Sequence, residues 1–191
     1  MDYAAARQHM IDSQIRTNKV TDSTVIGALA ALPRELFVAD SYRKLAYIDR
    51  PVPMSAGRRM MEPMYLAHLL QVAELQPKAK VLVVGAGTGY SAAILSSLVA
   101  KVTALECAAD LAARAKANLE SLGITNVKVV EGDLAAGRPN EAPFDFILVD
   151  GAVEVLPDAL TAQLSESGVL ACIVMKGSIG HAVLLTKADG V

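Results

Sequence analysis

Val81-Leu82-Val83-Val84-Gly85-Ala86-Gly87-Thr88-Gly89-Tyr90 decides how the rest of the chain is read. Four apolar residues predict a buried parallel strand, a Gly-x-Gly-x-Gly turn follows directly, and the apolar segment from Ser91 to Ala100 predicts a helix. Strand, glycine turn and helix together make a nucleotide-type pocket. Glycine allows positive φ and close approach of a ligand, and the first N–H groups of the helix have no partners within it. A tight strand-to-helix turn that binds nothing is the plainer alternative. A membrane span is the poorer account of the same stretch, because three glycines interrupt it and the strand-plus-helix pattern explains its hydropathy.

Beyond the turn, strands and helices alternate. Lys101 to Glu106 predicts a second strand and Ala109 to Leu122 a helix capped by Gly123. Val127 to Val130 predicts a third strand ending in Glu131-Gly132-Asp133, and Phe144 to Val149 a fourth ending in Asp150-Gly151. Pro157 to Ser165 predicts a helix, Gly168 to Met175 a fifth strand and His181 to Thr186 a further strand. This alternation specifies an α/β fold: a Rossmann-like, doubly wound, mostly parallel sheet whose ligands gather at the carboxyl ends of its strands. Glu106, Asp133 and Asp150 all fall at such ends. Ala188-Asp189-Gly190 reads as a hairpin turn without a return strand, so the C-terminal strand region is expected to be incomplete or its edge covered by another subunit, and a homo-oligomer is one option.

Upstream lies a helical prelude. Ala4 to Ile15 predicts one helix, and Thr21 or Asp22 opens a second that carries Val25, Ile26, Leu29 and Leu32 and stops at Pro33. Arg34 to Met61 predicts a structured loop broken by Pro51 and Pro53, and Pro63 suits the first position of an apolar helix running to Leu75. The domain organisation expected is therefore a helical and loop extension over residues 1–62 and a core over residues 63–191.

Composition narrows the partners. The chain has 191 residues, 53% of them hydrophobic, and a formal net charge of -2. That charge gives no reason to expect nucleic acid or an anionic membrane as a partner. Mean hydropathy is +0.37, which implies either a very buried sheet or an oligomer surface. Cys107 and Cys172 have no Cys-x-x-Cys spacing, so neither a metal site nor a disulfide framework is expected. Met1-Asp2-Tyr3-Ala4 lacks the basic and apolar regions of a signal peptide, and the cytoplasm is the expected compartment.

Which nucleotide suits the pocket follows from the glycine spacing. A dinucleotide fingerprint needs Gly-x-Gly-x-x-Gly, whereas here Tyr90 occupies the last place and Gly89 comes one position earlier. S-adenosylmethionine has no pyrophosphate to cradle, so the shorter turn Gly85-Ala86-Gly87-Thr88-Gly89 suffices for it. Glu106 is then placed to accept from both ribose hydroxyls, or is a solvated strand-end carboxylate. Asp133 is placed to accept from an adenine amino group, or is a turn residue. Asp150, beside the expected sulfonium, is the one candidate for an added catalytic polar group, a turn former with Gly151 being the alternative. His9, His68 and His181 lie on separate elements and carry no catalytic role.

Val81 to Ser91, Glu131-Gly132-Asp133 and Phe144 to Val149 resemble class I S-adenosylmethionine-dependent methyltransferases. Met10 to Arg16, Pro33 to Val38, Ala46 to Pro51 and the Gly57 to Pro63 loop are similar to the protein-L-isoaspartate O-methyltransferase family in particular. The resemblance covers almost the whole chain. It implies S-adenosylmethionine as cofactor, a protein or peptide as substrate, and methyl transfer to the carboxylate of L-isoaspartyl residues as a step of protein repair. Two places depart from the family pattern, and the missing C-terminal strand region is a third departure. The family loop reads Thr-Ile-Ser-x-Pro, with a Ser thought to help the acceptor carboxylate, where this chain has Arg59-Met60-Met61-Glu62-Pro63. Val83 holds a place that is usually acidic and that bears on how the cofactor's amino group is anchored.

Three functions are compatible with these residues. The first is the isoaspartyl repair enzyme. The second is a methyltransferase whose acceptor is chosen by Arg58, Arg59, Met60, Met61 and Glu62. The third is a non-catalytic module that keeps the pocket for sensing or as a scaffold. Methyl transfer to a carboxylate needs little acid–base help, and positioning alone can supply about 7–11 kcal/mol. Loss of one hydroxyl is therefore expected to reduce activity without abolishing it.

Overall fold

The structure, a computed structural model, describes residues 1–188. Asp2 caps α1 (Tyr3–Met10) by accepting from the Ala5 N–H. The predicted continuous helix to Ile15 instead widens into a π-helical turn over Ile11–Ile15 and a 3₁₀ turn over Arg16–Asn18. Ser13 Oγ donates to the His9 carbonyl and Thr17 Oγ1 to that of Ser13, the side-chain back-bonding that perturbs helix geometry. Asp22 caps α2 (Ser23–Ala31), accepting from Thr24 and Val25.

The predicted loop contains 3₁₀ turns at Arg34–Leu36 and Asp40–Leu45, then a small hairpin of β1 (Val52–Pro53) and β2 (Arg59–Met60). Pro63 opens α3 (Pro63–Val72), as its fixed φ and missing N–H favour. From there the alternation runs β3 (Lys80–Val84), α4 (Tyr90–Ser96), β4 (Lys101–Glu106), α5 (Ala109–Ser121), β5 (Val127–Glu131), β6 (Phe144–Val153), α6 (Asp158–Thr161), β7 (Leu164–Lys176) and β8 (Ile179–Thr186). The six-stranded sheet has the order β5-β4-β3-β6-β7-β8. Every pair is parallel except β7 with β8, which is an antiparallel hairpin. The predicted turn at Ala188-Asp189-Gly190 extends beyond the described residues.

Two faces of the sheet carry two apolar clusters. One joins Val81, Val83, Phe146 and Leu148 of the strands to Met10, Ile15, Leu29, Leu66, Leu70 and Ile94 of α1 to α4 and the π turn. The N-terminal extension thus shares its core with the sheet. The other cluster joins Leu82, Val84, Ile147 and Val149 to Leu160 of α6. The chain runs from β3 outward to β5 and then returns to the other side of β3 with β6, so the carboxyl ends of β3 and β6 flank the topological switch point where a doubly wound sheet binds its ligand.

Candidate active site

A cavity of about 950 Å³ opens at that switch point. Val84 of β3 with Gly85 just after it, Cys107 after β4, Leu134 and Ala135 after β5, and Val149 and Asp150 from β6 line it. The loop residues Arg58, Arg59, Met61 and Glu62, with Tyr65 of α3, form one wall, and Ile173, Met175 and Ala182 of the β7–β8 hairpin contribute another. Its size is that of a small-molecule site.

The glycine turn leaves β3 with Gly85 at φ +78 and Gly89 at φ +93, values that favour glycine. A Cβ on Gly85 would lie 2.5 Å from Arg58 Nη2, and one on Gly89 would lie 3.2 Å from Ala115 Cβ of α5. Thr88 is buried and donates from Oγ1 to the Phe37 carbonyl, tying the turn to the N-terminal extension. Among the turn residues, Gly85 faces the main cavity, while Ala86 and Thr88 line a small recess beside Tyr90 and Asp150.

Glu106 ends β4 fully buried. Its Oε2 accepts from the Gly87 N–H at 2.7 Å, and its Oε1 accepts from Cys107 at 2.9 Å and Ala108 at 3.1 Å. Arg58 covers it: Nη1 lies 3.2 Å from Oε1, and Nη2 donates to the Gly85 carbonyl at 2.9 Å. Asp133 is exposed, and its carboxylate closes its own turn by accepting from Ala135 N–H at 2.9 Å. The residues after it, Leu134 and Ala135, are the ones that reach the cavity wall.

Asp150 lies inside β6, which continues to Val153, and accepts from Ser91 Oγ of α4. Burial pushes its carboxyl above the ordinary aspartate range, against the Ser91 hydrogen bond and the Arg58 and Arg34 charges, which pull it down. Val83 is fully buried in the cluster beneath the N-terminal helices and does not line the cavity.

Arg34 is the residue whose importance the sequence did not disclose. It is fully buried, with Nε donating to the Ala46 carbonyl and Nη2 to that of Met61. Its guanidinium carbon sits 4.7 Å from the centre of the Tyr90 ring, a cation–π distance. Only the shared motif Pro33 to Val38 hinted at it, and nothing local marks its partners. Among the described residues, no group of three or more His, Cys, Asp or Glu side chains could hold a metal ion, and Cys107 and Cys172 are free. No helix among them is long and apolar enough to cross a membrane.

The sheet order, the glycine turn and the cavity at the strand ends define a class I methyltransferase fold. A solved protein-L-isoaspartate O-methyltransferase superposes with a TM-score of 0.83 at 28% identity, over 96% of this chain and 60% of that one. A Plasmodium falciparum protein solved in complex with S-adenosyl-L-homocysteine shares the fold, with a TM-score of 0.81 at 22% identity over 96% of this chain and 91% of that one. The profile of the protein-L-isoaspartate(D-aspartate) O-methyltransferase family matches residues 5–190, and the chain belongs to that family. Its relatives include the protein-L-isoaspartate O-methyltransferases of Koribacter versatilis, 45% identical over 87% of this chain and 75% of that protein, and of Roseiflexus sp. RS-1, 40% identical over 100% and 86%.

Proposed function

We propose that this chain carries out its family's reaction, transferring a methyl group from S-adenosylmethionine to the carboxylate of an L-isoaspartyl residue. The observation that carries this reading is that the cavity brings the glycine turn and the Arg58 to Glu62 wall together at the switch point. Bound there, S-adenosylmethionine supplies an electrophilic methyl group on a sulfonium, and a carboxylate accepts it without a base. What remains for the protein is positioning.

The residues present fit the cofactor. Gly85, Ala86, Gly87, Thr88 and Gly89 shape a turn whose three glycines all take positive φ, and Gly85 opens onto the cavity. Glu106 is held by three backbone N–H donors with its carboxylate fixed at the strand end, the arrangement that suits ribose hydroxyls. Asp133 stands just before the cavity-lining Leu134 and Ala135, and its role toward an adenine amino group rests on that strand-end position. With Val83 directed into the core, Asp150 and the Gly85 carbonyl are the acceptors for the cofactor's ammonium. Asp150 therefore serves placement and not proton transfer.

On the acceptor side, Arg59 is exposed at the cavity wall and supplies positive charge for the carboxylate, while Met61 supplies apolar contact where the family carries Ser. The setting proposed for this reaction is repair of aged proteins in the cytoplasm, without a nucleic-acid partner. Incubation with radiolabelled S-adenosylmethionine and paired aspartyl and isoaspartyl peptides tests it. Base-labile label on the isoaspartyl peptide alone is expected, and its absence from a preparation that binds the cofactor calorimetrically would overturn the reading.

A further inference from the structure

The Glu106 carboxylate offers about four acceptor sites, and main-chain donors fill three of them. Gly87, Cys107 and Ala108 take three through main-chain N–H groups that cannot move without dismantling the glycine turn and the start of α5. Arg58 Nη1 bridges the two oxygens, 3.2 Å from Oε1 and 3.5 Å from the half-filled Oε2, and its Nη2 donates to the Gly85 carbonyl. Three main-chain donors already stabilise a buried carboxylate, so the arginine is the partner that can leave.

Its placement allows this. Arg58 closes the turn of the β1–β2 hairpin, with its N–H donating to the Ser55 carbonyl and its own carbonyl accepting from Met54. The backbone is pinned while the side chain, 25% exposed, projects into the cavity. A ribose hydroxyl and an ammonium group would donate to Glu106 and to the Gly85 carbonyl, the same two acceptors that Arg58 holds. Both cannot be accommodated at once. A displaced Arg58 remains tethered at the cavity wall beside Arg59, Met61 and Glu62, where its planar fork matches an acceptor carboxylate in a way that a lysine or a hydroxyl does not.

From this we infer that Arg58 is a displaceable counter-ion of Glu106 that cofactor binding releases to bind the acceptor carboxylate, so that the acceptor site is completed only after the cofactor is in place. The inference rests on the methyltransferase reading for its acceptor half and not for its cofactor half. Binding of the two ligands is then coupled, and the coupling is reciprocal.

Calorimetry of S-adenosylhomocysteine and of an isoaspartyl peptide, each alone and in the presence of the other, tests it on the wild type, R58Q and R58K. The R58Q variant is expected to bind S-adenosylhomocysteine several-fold more tightly than the wild type, since the competitor is gone. The same variant raises the KM for the peptide by roughly tenfold, the size of a lost charge-assisted hydrogen bond, with a smaller change in kcat. In the wild type S-adenosylhomocysteine strengthens peptide binding, and in R58Q that coupling disappears. The R58K variant, which keeps the charge without the fork, recovers part of the coupling and controls for folding. Unchanged or weaker cofactor binding by R58Q overturns the displacement. Tighter cofactor binding with an unaltered peptide KM overturns the acceptor role. Absence of methyl transfer by the wild type would strike at the proposed reaction, while the cofactor measurement on R58Q would still read the displacement.

Discussion

Arg34 Nη2 donates to the main-chain carbonyl of Met61 at 2.6 Å, and through that bond a wholly buried guanidinium fixes the backbone of a segment that lines the cavity. The same side chain holds the Ala46 carbonyl at 2.7 Å. Substitution R34M keeps much of the volume but leaves two carbonyls without donors, each costing about 1–3 kcal/mol, partly offset by relief of a buried charge whose Nη1 has no partner. A net loss of about 2 kcal/mol in denaturant unfolding is expected. A higher KM for isoaspartyl peptide should accompany it, because the Met61 segment loses its anchor. A stability loss with an unchanged KM would assign Arg34 to the fold alone.

Met61 itself is 8% exposed, packs in the apolar cluster beneath the N-terminal helices and lines the cavity. Substitution M61S introduces the hydroxyl that the family pattern has here and removes a thioether from a packed wall. The lost packing is expected to cost roughly 2 kcal/mol of stability. Methylation of isoaspartyl peptide should nevertheless rise several-fold in kcat/KM, since the new donor reaches the acceptor carboxylate. Steady-state kinetics on the folded variant, with its melting temperature measured alongside, checks both halves.

The proposed placement of Asp150 at the cofactor's ammonium predicts that cofactor affinity depends on pH. Its carboxyl, raised by burial, must be ionised to accept from the cofactor's ammonium, so affinity for S-adenosylhomocysteine is expected to fall as pH drops through that raised value. Ser91 donates to Asp150 and lowers it, so S91A moves the inflection to higher pH. The D150N variant binds weakly and loses the inflection. Calorimetric titrations from acidic to neutral pH separate these outcomes.

The parts of this molecule that the sequence discloses are those written in contiguous residues. Four apolar residues and three glycines identify β3 and its turn because the strand, the turn and the helix start are all local. The N-cap of α2 at Asp22 and the proline at the start of α3 are equally local signals. Pairing across the chain is different. The predicted helix from Pro157 to Ser165 shrinks to one turn, Asp158–Thr161, because Leu164 is drawn into register with Phe144 and the Gln163 carbonyl accepts from Phe144 N–H. β6 passes beyond Asp150 to Val153 because β7 lies alongside it, with a register shift between Leu148 and Ala152. The same limit applies to the site. Glu106 was recognisable from its strand end, but its contact with Arg58 joins residues 48 positions apart with no shared pattern. Asp133 was recognisable both as a strand-end carboxylate and as a turn residue, and it closes a turn by accepting from Ala135 N–H.

Glu141 makes acid stability a test of the sheet's opposite end. It accepts from Thr103 Oγ1 at 3.0 Å, Lys128 Nζ at 3.0 Å and Arg138 Nη2 at 2.8 Å, joining β4, β5 and the segment before β6. Burial raises its pKa, but the hydrogen bonds from Arg138, Lys128 and Thr103 outweigh it and hold the carboxyl at about 2, below its ordinary 4.5. A carboxyl with a lowered folded-state pKa stabilises the protein fully above its unfolded value, and the contribution is lost as pH falls toward the folded value. The shift corresponds to at most about 3 kcal/mol, and to less because solvent screens Lys128. In E141Q, stability at neutral pH is expected to drop by about 1–2 kcal/mol, since an amide keeps the shape but weakens the charge-assisted bonds. The difference from the wild type should then close as the pH is lowered from 4.5 to about 2. Urea unfolding at a series of pH values reads this directly, and a difference that stays constant through the window would assign the loss to packing instead of charge.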